Sequence, residues 1–203
     1  KLKEDITSEI ANSFKNSISI DCEATGLQIP ERDKLSLIQI CDEIGNVFII
    51  QPNKNNYKAP NLVSVLENEK IQKIGHYLRF DKSALEFFLK CKMKNIFDTK
   101  IASKIVRTYT DSHGLKNLVQ EFCNKSLDKR QGSSDWNKDI NDLSDKQLEY
   151  AANDVIYLHK IKKELEDMLV REKRMEVYKK CLAFLDTRVE LDQSGFKFDI
   201  FEH

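Results

Sequence analysis

Polar and apolar residues alternate at period two near the start of the chain. Ile18, Ile20 and Cys22 point one way and Ser19, Asp21 and Glu23 the other, so residues 17–22 read as a strand with one polar face. Gly26 ends that strand and lets the backbone turn away. Residues 36–41 and 46–50 read as two more strands around the hairpin signal Asp42-Glu43-Ile44-Gly45, which makes the first three strands an antiparallel meander. Then follow a helix over 60–68, a short apolar strand over 71–74 that runs on to Gly75, a helix over 82–90 and a last short strand over 95–97. Beyond that the period is helical, over 99–106, 114–122, 144–171 and, more weakly, 174–190. The longest of these runs opens with Ser144 and Gln147 at capping-box spacing, and Leu148, Ala151, Ala152, Val155 and Leu158 recur along one face. Strands first and helices interleaved later predict an α/β fold, a mixed sheet covered by helices.

That frame brings specific side chains together. Asp21 and Glu23 share a strand face, and residues two apart on a strand lie roughly 6.5–7 Å apart, near enough to converge on metal ions held about 3.5–4 Å from each other. Tyr150 and Asp154 are four apart on a helix, which sets their Cβ atoms about 5–6 Å apart on one face. Asp81 opens the helix that follows the 71–74 strand, at a strand's carboxyl end, where open α/β sheets keep their ligands. Taken alone, Asp81 reads better as a helix cap and Tyr150 as a half-buried aromatic. Together, four carboxylates and a phenol are what a two-metal phosphodiester cleavage site needs.

Asp-x-Glu, a His-x-x-x-x-Asp segment and Tyr-x-x-x-Asp, in that order, resemble the 3′-5′ exonucleases of the DEDDy type. Lys129, Gln131, Ser134-Asp135-Trp136, Leu143-Ser144 and Tyr150 to Val155 resemble ribonuclease D in particular, and the whole likeness spans about residues 17–160. The resemblance implies a ribonuclease H-like mixed sheet and removal of nucleoside 5′-monophosphates from a 3′ end, with RNA preferred and DNA possible. Asp21, Glu23, Asp81 and Asp154 are then the ligands of two divalent cations, Mg²⁺ or Mn²⁺, since oxygen-only ligands suit hard ions. Tyr150 would orient the attacking water, because a tyrosine with an ordinary pKa near 10 stays protonated at neutral pH.

The same likeness nominates residues for the substrate. Thr25, Gly26 and Leu27 match the segment that holds the terminal nucleotide, although a strand-ending turn explains them equally well. Lys129 would lie close to a substrate phosphate. His76, Tyr77 and Phe80 stand on the substrate side of the Asp81 segment; Tyr77 departs from the family, where a small or amide residue is common, and this puts the terminal-nucleotide contact in question. His76 imitates the spacing of the superfamily's histidine variant, but Tyr150 already occupies the activator's region. Trp136 is either a base-stacking ring or a hydrophobic plug, while His113 and His159 read as surface residues.

Composition adds a few limits. The chain has 203 residues, 40% hydrophobic and 33% charged, enough for one core and without a membrane-length apolar run. The expected organisation is a single exonuclease domain over 1–203, a catalytic core over about 15–170 and a helical extension over 171–203, without the helical nucleic-acid-binding domains many ribonucleases D carry. Cys22, Cys41, Cys91, Cys123 and Cys181 are odd in number and lack Cys-x-x-Cys spacing, which fits reduced thiols and a cytoplasmic setting rather than a zinc site. Lys plus Arg equals Asp plus Glu at 33 each, so nucleic acid must be attracted locally. The lysines at 90, 92 and 94 and at 160, 162 and 163 read as solvated faces. Phe196, Phe198 and Phe201 lie close together in a tail expected to pack on its own domain. Two other classes stay open: an aspartyl-phosphate phosphohydrolase, from Asp21-Cys22-Glu23-Ala24-Thr25, and a non-catalytic nucleic-acid-binding module.

Overall fold

In the computed structural model, all residues except 30–31, 128–133, 197, 199 and 201–203 are described. Among these, six strands form one mixed sheet: β1 (Leu2–Lys3), β2 (Ser17–Ala24), β3 (Leu35–Cys41), β4 (Val47–Gln51), β5 (Gln72–Gly75) and β6 (Ile96–Asp98), in the spatial order β1-β4-β3-β2-β5-β6. The expected antiparallel meander is present as β2, β3 and β4, while β5 and β6 run parallel to β2 and β1 runs parallel to β4. Asp42 closes the hairpin between β3 and β4. Its carboxylate accepts Ile44 N at 3.1 Å and Asn46 N at 2.8 Å, and Gly45 takes the positive φ of 93° that the turn requires.

Among the described residues, eight helices cover the sheet: α1 (Ser8–Ser13), α2 (Pro60–Glu67), α3 (Leu78–Leu89), α4 (Thr99–Val106), α5 (Leu115–Cys123), α6 (Asp145–Ile156), α7 (Leu158–Arg171) and α8 (Met175–Gln193). Ile18, Ile20 and Cys22 pack toward α2 and α3 in the largest core cluster. The opposite face of β3 packs under α6, with Leu37, Ile49, Trp136, Ile140, Leu143 and Ala151 buried together. A third cluster joins Ile74 and Phe97 to α4, α5, α7 and Tyr178 of α8. β2 therefore ends between two helix layers, and its polar face looks toward α6.

Three expectations change. The helix expected over 82–90 begins earlier, at Leu78, because the Asp98 carboxylate accepts the Leu78 N–H at 2.7 Å. Asp81 thus sits in the first turn of α3 rather than opening it. The run over 144–171 divides at Tyr157, where the Val155 carbonyl accepts both the Tyr157 N–H and the Ser19 hydroxyl, the latter at 2.8 Å from β2. β1 and α1 were not foreseen, being two and six residues long. The Ser144–Gln147 capping box is formed in both directions. All five cysteines are free. No helix among the described residues is long and apolar enough to cross a membrane.

Candidate active site

Alternation along β2 sends Asp21 and Glu23 to the α6 side. There the capping box fixes the start of α6, and Asp154 arrives one turn after Tyr150. Ligand oxygens of Asp21, Glu23 and Asp154 all lie within 4.8 Å of one another. The fourth acid comes from the other layer. Asp81, 3% exposed, accepts hydrogen bonds from the Cys22 backbone N–H and thiol, and its charge reaches Asp21. The acids thus straddle the end of one strand, three on its α6 side and one on its α3 side.

Packing like charges together in a buried place shifts their acidity. Burial first, and then Asp81, Asp154 and Glu23, hold Asp21 well above the usual carboxylate range. Burial followed by Asp154 and Asp81 pushes Glu23 up to about 8, and burial pushes Asp81 up to about 7. Among the described residues, none of Asp21, Glu23 or Asp81 is paired with a Lys or Arg side chain. Oxygen donors converging without a cation of their own fit a hard divalent ion. The Tyr150 hydroxyl donates to Asp154, and burial together with Asp154, Glu23 and Asp21 raises its pKa, so the phenol stays protonated at neutral pH.

These side chains line a cleft of about 630 Å³. Every residue named from the sequence as a site candidate borders it except Lys129, which lies outside the described residues. Thr25 to Leu27 form one rim. A Cβ on Gly26 would collide with the Asp33 carboxylate, which also accepts Gln28 N at 2.8 Å, so a larger residue here would have to displace that carboxylate from the turn. Leu27 is 84% exposed at the cleft edge. On the opposite rim the Thr99 hydroxyl donates to Gly75 O at 2.9 Å and so accepts from His76 Nδ1 at 2.9 Å, which assigns a proton to that ring nitrogen. Tyr77 takes a left-handed backbone, φ 68°, and Phe80 follows on α3.

Trp136 is 3% exposed and lies against Tyr150 with ring centroids 6.0 Å apart, so it is a plug that supports the phenol and not an open stacking platform. His113 and His159 are half-buried rather than surface residues, His113 through a 2.9 Å bond between its Nδ1 and the Ser103 hydroxyl. The outlying lysines behave as expected: Lys92 and Lys94 pair with Glu86 and Glu69, and Lys162 and Lys163 with Glu166 and Asp167. Sequence reasoning missed Lys100. It lines the cleft from α4, with its ammonium 4.1 Å from the Tyr77 ring centroid, and is the one Lys or Arg among the described lining residues. No local signal marks it; only the parallel neighbours β5 and β6 bring its helix to the cleft.

A family model described as 3′-5′ exonuclease matches residues 2–170. The chain belongs to the 3′-5′ exonuclease family. Its ribonuclease H-like α/β fold is shared with solved nucleases, among them Brucella melitensis NrnC bound to pGG, 42% identical with a TM-score of 0.92, covering 100% of this chain and 97% of that one. A second structure of the same protein carries Mg²⁺, at 41% identity, a TM-score of 0.90 and the same coverage. DNA polymerase I of Aquifex aeolicus is 33% identical over 74% of this chain and 24% of its own length, and ribonuclease D of Gluconacetobacter diazotrophicus is 30% identical over 75% of this chain and 38% of its own. The chain thus spans 24% and 38% of the length of these two curated relatives. Membership in the exonuclease family replaces the aspartyl-phosphate phosphohydrolase reading.

Proposed function

We propose that this protein is a metal-dependent 3′-5′ exoribonuclease that releases nucleoside 5′-monophosphates from single-stranded RNA 3′ ends. The observation that carries the proposal is the convergence of Asp21, Glu23 and Asp154 within 4.8 Å, with Asp81 and Tyr150 completing the same cleft. Asp21, Glu23, Asp81 and Asp154 hold two divalent cations, Mg²⁺ or Mn²⁺. When bound, such ions supply an acidified water and positive charge for the departing 3′ oxygen.

The chain's own groups do the rest. Tyr150, kept protonated and supported by Trp136, orients the attacking water through its hydroxyl. Thr25, Gly26 and Leu27 on one rim and His76, Tyr77 and Phe80 on the other hold the terminal nucleotide, with Lys129 near a substrate phosphate. Lys100 adds positive charge at the rim. The pGG found in NrnC puts very short 5′-phosphorylated RNA within the proposed substrate range.

The catalytic unit proposed here covers about residues 15–170, with a helical extension over 171–203 and a cytoplasmic location in keeping with free thiols. The likeness to a DNA polymerase I keeps 3′-5′ degradation of DNA as a second reading. A 5′-labelled RNA strand, the matching DNA strand and pGG, each incubated with and without Mn²⁺, test the proposal. A Mn²⁺-dependent ladder of products shortened from the 3′ end, stronger on RNA, is expected. Binding without cleavage in Mn²⁺ would identify a non-catalytic module instead.

A further inference from the structure

α8 supplies none of the site's acids, and it lies beyond the stretch matched by the family model, yet it grips the helix that carries Asp81. Near its end, Asp192 receives Arg79 of α3 at two points, Nε to Oδ2 and Nη2 to Oδ1, each at 2.7 Å. Arg188, one turn earlier on α8, donates to the same Oδ1 at 2.7 Å. Gln193 Nε2 donates to Ser83 O at 3.2 Å, and the Asp186 carboxylate lies 3.0 Å from the Lys82 ammonium.

Arg79 stands in the first turn of α3, between the two rings of the cleft wall. A recess of about 360 Å³, which shares Leu27, Tyr77 and Phe80 with the cleft as lining, also has Arg79, Ser83 and Asp192 in its wall. Tyr77 enters α3 from a left-handed backbone, which is strained for a non-glycine residue and persists only where the surroundings over-determine it. Asp192 bridges two guanidinium groups there, and Arg188 is held in addition by Phe196 O and by Phe198 O, the latter at 3.0 Å. Without its charge Arg79 and Arg188 repel, and the first turn loses its outer tie.

We infer that Asp192 is a positioning residue for substrate: by holding Arg79 against α8 it fixes the α3 turn that presents Tyr77 and Phe80 to the nucleotide. The inference rests on the exonuclease reading and deepens it. Asp81 has separate anchors, since its carboxylate takes the Cys22 N–H and the next residue, Lys82, is bound by Glu86 and by Met93 O at 3.0 Å. Loss of Asp192 therefore weakens substrate binding and spares the metal site.

The test compares Asp192→Asn with Asp186→Asn, which breaks the other ion pair between α3 and α8 away from the cleft, in the full chain with a short labelled RNA and Mn²⁺. Asp192→Asn is expected to raise KM about tenfold with kcat within about threefold, Asp192→Glu to recover part of that loss, and Asp186→Asn to lower Tm comparably without moving KM. The inference is overturned if Asp192→Asn lowers Tm and leaves KM within twofold of the parent. A fall in kcat at constant KM overturns it as well. Fluorescence anisotropy of the same RNA in Ca²⁺ reads the wall without turnover: about tenfold weaker binding supports the inference and unchanged binding overturns it, even if the parent binds RNA and cleaves none, an outcome that would sink the exonuclease reading alone.

Discussion

Asp98 and Asp81 are both buried carboxylates beside the carboxyl ends of neighbouring parallel strands, and the fold meets them in opposite ways. Asp98, 1% exposed, accepts Leu78 N at 2.7 Å, Lys100 N at 2.8 Å and Ile101 N at 2.9 Å, so one side chain caps the starts of α3 and α4 together. Asp81 faces Asp21, Glu23 and Asp154, whose charges reinforce one another's protonation. An acid that builds the fold is matched by backbone donors. In the cleft, Asp81 takes the Cys22 N–H and thiol and Asp154 the Tyr150 hydroxyl, neutral donors that leave the charges of Asp21, Glu23 and Asp81 without a Lys or Arg partner among the described residues, an arrangement that suits a cation from outside the chain. The buried Lys82–Glu86 pair, one residue from Asp81, shows that this chain can neutralise an acid internally where it does so for structure.

The widest separation between the two kinds of acid is expected in turnover. Asp154→Asn should lower kcat about a thousandfold or more, equivalent to about 4 kcal/mol of barrier, while leaving RNA affinity within a few-fold. Near-normal turnover would remove Asp154 from the site. Tyr150→Phe, which keeps the ring against Trp136 and deletes only the hydroxyl, should cost about 10²-fold in kcat with little change in KM. Asp98→Ala should behave in the reverse sense, losing about 2–3 kcal/mol in urea unfolding because two helix starts lose their cap, with turnover per folded molecule largely kept. If Asp98→Ala abolished turnover at full stability, the division between structural and functional acids would fail.

Stability against pH sharpens the comparison further. Folding moves Glu23 from 4.5 to about 8 and Asp81 from 3.8 to about 7, so the folded, metal-free protein favours their protonated forms. That contribution is complete below about pH 4 and is lost as pH rises through about 8. Glu23→Gln should therefore stabilise the metal-free protein at pH 7.5 by about 1–2 kcal/mol while destroying activity, and this gain should fade toward about pH 4.5. Equal stability of parent and variant at pH 7.5 in EDTA would show that Glu23 carries no such strain.

Much of this was legible in the sequence where the physics is local. Alternation along residues 17–22 gave the shared face of Asp21 and Glu23, helical spacing gave the register of Tyr150 with Asp154, and Ser144 with Gln147 gave the start of α6. What escaped depends on partners far along the chain. The start of α3 is set by Asp98, 20 residues later, and the division between α6 and α7 coincides with the Ser19 hydroxyl bonding Val155 O across 136 residues. Lys100 and Asp192 reach the cleft region only through the order of strands and the packing of α8, which no spacing encodes. Trp136 was legible as an aromatic near the site, but only burial against Tyr150 decides that it is a support.

Calorimetric titration of the metal-free protein with Mn²⁺ at pH 7.5, repeated in buffers of different ionisation enthalpy, reads the central claim most directly. Uptake of Mn²⁺ with release of protons from the cleft acids is predicted, and Asp21→Asn should abolish it. No uptake, or uptake unchanged by Asp21→Asn, would contradict the account.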